Sequence, residues 1–329
     1  MKLVNDYIKI KDNIYEAMSS FKPVIALDSS LITHSLPYPI NLETVKKIEK
    51  FLKENGVFLA VLSVTEGYIN VGLTEKELEF LASSKNNKKI RKIERKDLPG
   101  AIAKKITGSL SISASMLISN MLGLRIMITD GIDGTFGKSS LNNDIFSDLS
   151  ELENTNVTLV CTGVKPLFSL KETINKLRRL GVPVYGYKTS FVPNFYSGHS
   201  QILVDCYIDS LDEIVDILNV KKHFKFKGGQ LLVTQVPKNY LLDHFLVENN
   251  SKSIKQSILS SKMLEEDMNL YFSEKMSEQT EGKSLISHSE SLFYNAKVAC
   301  ILVQKFLKNL KDSPNELRLY YWRVKNFRK

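Results

Sequence analysis

Lys165 stands where an apolar run, "LVCTGVKPLF" (residues 159–168), turns from strand to loop. A lysine there can lay its stem on apolar surface and push its ammonium into water. Partly desolvated, it can instead lose a proton and attack a carbonyl to form a Schiff base. Asp28 closes a second run, "PVIALDSS", and Asp130 follows a third, "RIMIT". The turn "TDGIDGTFG" (129–137) is glycine-rich but matches neither the P-loop nor the dinucleotide fingerprint, and two aspartates in it would repel a phosphate. Asp144 and Asp148 lie four apart in "NDIFSDLSEL". On a helix they share a face, where one can hold a divalent cation and the other move protons. A Ser/Asp helix start explains the same pair equally well. No histidine pair has metal-ligand spacing, and no GxSxG occurs.

Short apolar runs alternate with amphipathic stretches, the pattern of an α/β fold. "NLETVKKIEKFLKENG", "TEKELEFLASS", "DLPGAIAKKI" and "SISASMLISNMLGL" read as helices; "VFLAVLSV" and "YINVGL" read as a hairpin around Thr65 to Gly67. "RIMIT", "VTLVCTG" and "VPVYGY" follow at spacings that fit crossover units in a mostly parallel sheet. Beyond Val220 the pattern is mainly helical, with "NSKSIKQSILSSKMLEEDMNLYF" and "SESLFYNAKVACILVQKFLKNL" as long amphipathic candidates. Ligands of open α/β sheets collect at the carboxyl ends of the strands, a rule that gathers Asp28, Asp130 and Lys165 on one rim.

The chain has 329 residues, 43% hydrophobic and 25% charged, enough to bury a sizeable core in one large domain or two. The start lacks an apolar h-region, and the longest uncharged run, Ile106 to Leu124, is too rich in serine to span a membrane well. A cytoplasmic protein is expected. Three widely spaced cysteines, Cys161, Cys206 and Cys300, suggest neither a disulfide framework nor a CxxC metal site. The net charge of +9 concentrates partly in "SKNNKKIRKIERKDLP" and in the tail from Lys311 to Lys329. Either could meet nucleic acid or, for the first, a phosphorylated small molecule.

In order and spacing, "VIALDSSLITHSLPYPINLET", "VGLTEKELEFLA", "KIERKDLP", "DIFSDLSEL", "VTLVCTGVKPLFSL", "LGVPVYGY" and "YNAKVA" resemble the pseudouridine-5′-phosphate glycosidase family, from about Pro23 to Leu310. The resemblance implies a three-layer α/β/α fold with a mostly parallel central sheet and a helical C-terminal part. It implies one domain over residues 1–310 followed by a basic tail, 311–329, and a homotrimer using a divalent metal, manganese. The implied reaction reversibly cleaves the C–C bond of pseudouridine 5′-phosphate to uracil and ribose 5-phosphate. A carboxylic acid protonates the ribose ring oxygen, the sugar opens, and lysine forms an iminium at C1′ when the C–C bond breaks. By matching position, Lys165 is the implied nucleophile, Asp28 the acid, Asp148 a proton-transfer group and Asp144 the metal ligand. Substrate binding falls on Lys92, Ile112, Phe146, Ser147, Asp148 and His288.

Against the family pattern, Asp28 replaces a glutamate, Phe136 a histidine, Gly137 an arginine and His288 an asparagine, while Asn295 persists. Two readings follow: a divergent glycosidase in which His288 or Lys138 assumes lost roles, or a catalytically impaired paralogue that keeps a sugar-phosphate site. An RNA-binding module using the basic segments is the third.

Overall fold

A computed structural model describes residues 2–83, 90–136, 147–198 and 200–311. Its strands are β1 (Lys2–Asn5), β2 (Ile8–Ile10), β3 (Val24–Asp28), β4 (Phe58–Thr65), β5 (Tyr68–Val71), β6 (Arg91–Ile93), β7 (Gly108–Leu110), β8 (Ile126–Ile128), β9 (Thr158–Cys161), β10 (Val184–Tyr187), β11 (Cys206–Ile208) and β12 (Gln230–Val233). The helices are α1 (Asp12–Ser19), α2 (Ser30–His34), α3 (Ile40–Glu54), α4 (Glu75–Ser83), α5 (Leu98–Ala103), α6 (Ile112–Leu122), α7 (Ser147–Asn154), α8 (Leu170–Arg179), α9 (Leu211–His223), α10 (His244–Ser260), α11 (Glu265–Gln279) and α12 (Lys283–Lys311).

Period-two alternation along buried strands creates two cores, one on each face of the sheet. In β3, Val24 and Ala26 join a core with Ile14 of α1, Met116 of α6 and Ile174 of α8. Ile25 and Leu27 join the opposite core with Ile48 of α3, Ile214 of α9 and Val303 of α12. The chain is therefore a three-layer α/β/α sandwich. The sheet order is β1-β2-β5-β4-β3-β8-β9-β12-β10-β11, with β6 and β7 attached beside β4. From β3 through β11 the neighbours in this path are parallel. β4 and β5 form the expected antiparallel hairpin, and β7 also pairs antiparallel with β4.

The strand order adds what the sequence does not show, and one helix expectation needs correction. β9 and β10 are not neighbours, because β12 lies between them and pairs with both. β12 is four residues, "QLLV", all buried, inside a region that reads as helical from its longer flanking periodicities. The stretch expected as one helix, "NSKSIKQSILSSKMLEEDMNLYF", is two. α10 stops at Ser261 in extended geometry (φ −90°, ψ 165°), and α11 restarts with Glu265, Glu266 and Asp267 in its first turn, where negative charge suits the helix dipole. Among the described residues no helix is long and apolar enough to cross a membrane. The tail beyond Lys311 lies outside the described residues.

Candidate active site

Backbone pairing that continues past β8 and β9 positions the lysine. Thr162 N–H donates to Asp130 O at 2.9 Å, Ile132 N–H to Gly163 O at 2.9 Å, and Lys165 N–H to Ile132 O at 3.0 Å. The two turns thus advance in step, and the side chains of Asp130, Asp133 and Lys165 meet. Gly163 makes this register possible at φ +89°, where a Cβ would also lie 3.0 Å from Pro193 O.

Lys165 is buried, with Nζ 3.0 Å from Asp133 Oδ1 and 3.7 Å from Asp130 Oδ1. Burial alone would depress its pKa, but Asp130, Asp133, Asp28 and Asp148 together push it well above the ordinary lysine value. Asp130 also accepts from Gly131 N–H at 2.7 Å, from Ser35 Oγ, and meets His288 Nε2 at 2.9 Å. Asp133 accepts from Lys92 Nζ at 2.9 Å and Asn269 Nδ2 at 3.1 Å. Burial opposes the charge on both carboxylates, yet Lys165, with His288 for Asp130 and Lys92 for Asp133, holds them below the usual carboxylate range.

Asp28 and Asp148 behave oppositely. Asp28 ends β3 with no exposed surface. Its Oδ2 accepts from Ser30 Oγ at 2.7 Å and Leu31 N–H at 3.1 Å, and its Oδ1 has no hydrogen-bond partner among the described residues. Burial, then the charge of Asp130, pushes its pKa up against the pull of Lys165. Asp148, in the first turn of α7, accepts from Ser113 N–H at 3.0 Å and Asp133 N–H at 3.2 Å. Burial and Asp133 push it up to about 7. Ser113 Oγ donates to Ser147 Oγ at 3.0 Å, and the buried Ile112 precedes Ser113 at the start of α6, whose cap Ser111 accepts from Ala114 N–H.

Lys92 lies on β6 and lines a cavity of about 1160 Å³ with His34, Lys96, Glu266 and Tyr271. Lys165 sits behind it, joined through Asp133. His288, expected at the substrate, is buried, with Nε2 2.9 Å from Asp130 Oδ2 and its ring edge-on to Phe195. Asn295 donates to Thr129 O at 3.0 Å and Thr162 Oγ1 at 3.1 Å, tying α12 to the tips of β8 and β9. Phe146 and Asp144 lie outside the described residues.

Three residues enter the site that sequence reasoning does not single out. Asp133 reads in sequence only as half of a phosphate-repelling pair. Asn269 gives no signal. His34 follows Thr33 in "SSLITHS", and its Nε2 is buried without a hydrogen-bond partner among the described residues. Burial, then the charges of Lys92 and Lys165, lowers its pKa to about 3, so it is a neutral imidazole facing the cavity. Its place in the chain offers no periodic clue, because its state comes from the charges packed around it.

Among the described residues no three His, Cys, Asp or Glu side chains could hold a metal ion. The oxygens of Asp130 and Asp133 already take ammonium and N–H donors, so these carboxylates do not fit a divalent cation.

Residues 13–305 match the family model described as indigoidine synthase A like protein. The chain is 35% identical over 302 residues to a pseudouridine-5′-phosphate glycosidase of Alkaliphilus metalliredigens, covering 92% of this chain and 97% of that one. To the enzyme of the same name from Caldanaerobacter subterraneus subsp. tengcongensis it is 34% identical over 313 residues, 94% of this chain and 100% of the relative. Among solved structures, the prealnumycin C-glycosynthase AlnA in complex with ribulose 5-phosphate superposes with a TM-score of 0.83 at 25% identity, covering 94% of this chain and 99% of that one. An indigoidine synthase A-like protein from Thermotoga maritima, 23% identical, shares the fold with a TM-score of 0.81 over 93% of this chain and 98% of that one.

Proposed function

Because the chain belongs to the indigoidine synthase A-like family, we propose that it cleaves and forms the C–C glycosidic bond of pseudouridine 5′-phosphate through a Schiff base on Lys165. The observation that carries this reading is a buried lysine, paired with Asp133 and Asp130, whose charge is felt by Asp28, a buried carboxyl with a raised pKa and an Oδ1 unpartnered among the described residues.

A C-glycoside needs more than the two carboxylates that serve O-glycosides, because carbon leaves poorly unless its electrons have somewhere to go. Protonated Asp28 gives its proton to the ribose ring oxygen as the C1′–O4′ bond breaks, and Lys165, having passed its ammonium proton to the neighbouring Asp133 carboxylate, bonds to C1′ as an amine. The secondary ammonium so formed returns a proton to the Asp28 carboxylate, and the nitrogen's freed electron pair then forms the C1′=N bond as the C1′–C5 bond breaks. The pair of the broken bond passes to the pyrimidine carbon, which takes a proton from Asp148. In this direction lysine is the electron source; its iminium is the sink only in the bond-forming direction. Water hydrolyses the iminium, releasing ribose 5-phosphate and regenerating Lys165. Lys92, at the cavity wall, suits the phosphate as an ammonium partner.

Manganese at Asp144 and a homotrimer belong to the same proposal, with no step above passing through the metal. Restoration of chelated protein by manganese tests the first, and light scattering the second. The direct test of the reaction is uracil release from pseudouridine 5′-phosphate. The pairing of both Lys165 and Lys92 with carboxylates favours one alternative, a catalytically impaired paralogue. Such a protein binds ribose 5-phosphate without releasing uracil from the nucleotide.

A further inference from the structure

Lys92 comes from β6 and Lys165 from the turn after β9, and the two converge on a single carboxylate. Asp133 Oδ2 accepts from Lys92 Nζ at 2.9 Å, and Oδ1 lies 3.0 Å from Lys165 Nζ. Asn269 Nδ2 donates to the same Oδ1 at 3.1 Å, and Asp133 N–H is tied to Asp148. The carboxyl is therefore fixed from several sides and buried. Two ammoniums bridged by a planar two-oxygen anion is an arrangement that a ligand's phosphoryl or carboxylate group would otherwise complete. Lys92 is also the member of the trio that lines the cavity. An anion entering there meets an ammonium already satisfied from within.

We propose that Asp133 is an internal counter-ion occupying the anion position between Lys92 and Lys165, which an anionic sugar phosphate must displace to bind. Asp133 thereby sets the site's affinity for the phosphoryl group and holds the nucleophile as an ammonium until the ligand arrives. The identity of the ligand rests on the reading given above; the competition between anions does not.

Asp130 supplies the internal contrast. Its oxygens are engaged by Ser35, Thr129, Gly131 N–H and His288 as well as by Lys165 at 3.7 Å, and among the described residues it forms no ion pair with Lys92. Neutralising Asp130 leaves the Lys92–Asp133 pair intact. Neutralising Asp133 frees both lysines while an asparagine still offers one carbonyl oxygen to them.

The test is calorimetric titration of inorganic phosphate and of ribose 5-phosphate into the wild-type protein, Asp133→Asn and Asp130→Asn, with thermal melts establishing that each is folded. Asp133→Asn is expected to bind phosphate about tenfold more tightly than wild type, and Asp130→Asn within about threefold of it. A folded Asp133→Asn protein that binds phosphate no better than wild type overturns the proposal. Should that variant not fold, a crystal of the wild-type protein grown with phosphate decides. A bound anion with the Lys92–Asp133 contact opened beyond about 4 Å, the outer limit of an ion pair, supports displacement, and a bound anion with that contact intact refutes it. Calorimetry requires no turnover, so tighter phosphate binding without any covalent adduct on Lys165 would leave the counter-ion in place and remove the nucleophile. An adduct without tighter binding would do the reverse.

Discussion

Two carboxylates at the end of β3 and the start of α7, Asp28 and Asp148, share one site with two in the turn after β8, Asp130 and Asp133, yet the pairs are held in opposite states. Asp28 and Asp148 are buried with mainly hydroxyl or backbone N–H donors around them, and their pKa values rise. Asp130 and Asp133 are equally buried, but cationic Lys165, with Lys92 at Asp133, stabilises their charge. Burial is common to all four; the position of the two lysines separates them. One cluster thus holds two carboxyls with raised pKa values beside two with lowered ones, a division made by environment alone.

Removing the amine proposed as nucleophile, Lys165, has the largest expected effect. Lys165→Arg keeps the charge but cannot form the Schiff base, and uracil release is expected to fall on the order of 10⁴-fold or more, measured by product chromatography. Next is the acid of the raised pair. Asp28→Asn removes a proton donor while keeping its shape, with an expected loss of about 10²- to 10⁴-fold in turnover and little change in ribose 5-phosphate affinity. Lys92→Met touches the other end of the ion-pair chain, and an approximately tenfold weaker affinity for ribose 5-phosphate is expected by calorimetry.

The smallest effect is a matter of stability. Asp148 has a folded-state pKa of about 7, above the roughly 3.9 of an unfolded aspartate. Between these values the folded state keeps a proton that the unfolded state has lost, so Asp148 makes stability fall as pH rises from about 4 to 7, by at most about 1.4 kcal/mol per pH unit. Asp130 and Asp133 work the other way: their contribution is present above about pH 4 and is lost as pH falls toward their lower folded values. Denaturant melts of Asp148→Asn should therefore decline less steeply over about pH 4 to 7 than those of the wild-type protein. Identical slopes would remove Asp148 from the raised pair.

The rim is legible in the sequence because strand ends are written in apolar runs that stop: "VIALD", "RIMIT" and "LVC" each deliver a polar residue to the same edge of the sheet. The hairpin at Thr65 to Gly67 and the crossover helices are legible in the same way. What stays hidden is pairing across distance. β12 is too short to outweigh the helical periodicity on either side, and its place between β9 and β10 depends on strand order rather than on neighbours in the chain. Asp133 looks like a phosphate-repelling turn residue because Lys92, 41 positions away, is not visible from the turn. That His288 reaches Asp130 from the long helix α12 is likewise not visible in the sequence. His34 gives no local signal, since its neutral state is imposed by burial and by lysines from two other elements.

Covalent capture decides whether Lys165 is the nucleophile. Incubating the protein with ribose 5-phosphate and borohydride, then mapping peptides by mass spectrometry, should place a reduced sugar-phosphate adduct on Lys165 and nowhere else, and Lys165→Arg should carry none. An unmodified Lys165, under conditions where a glycosidase relative is labelled at its own lysine, would refute the Schiff-base mechanism.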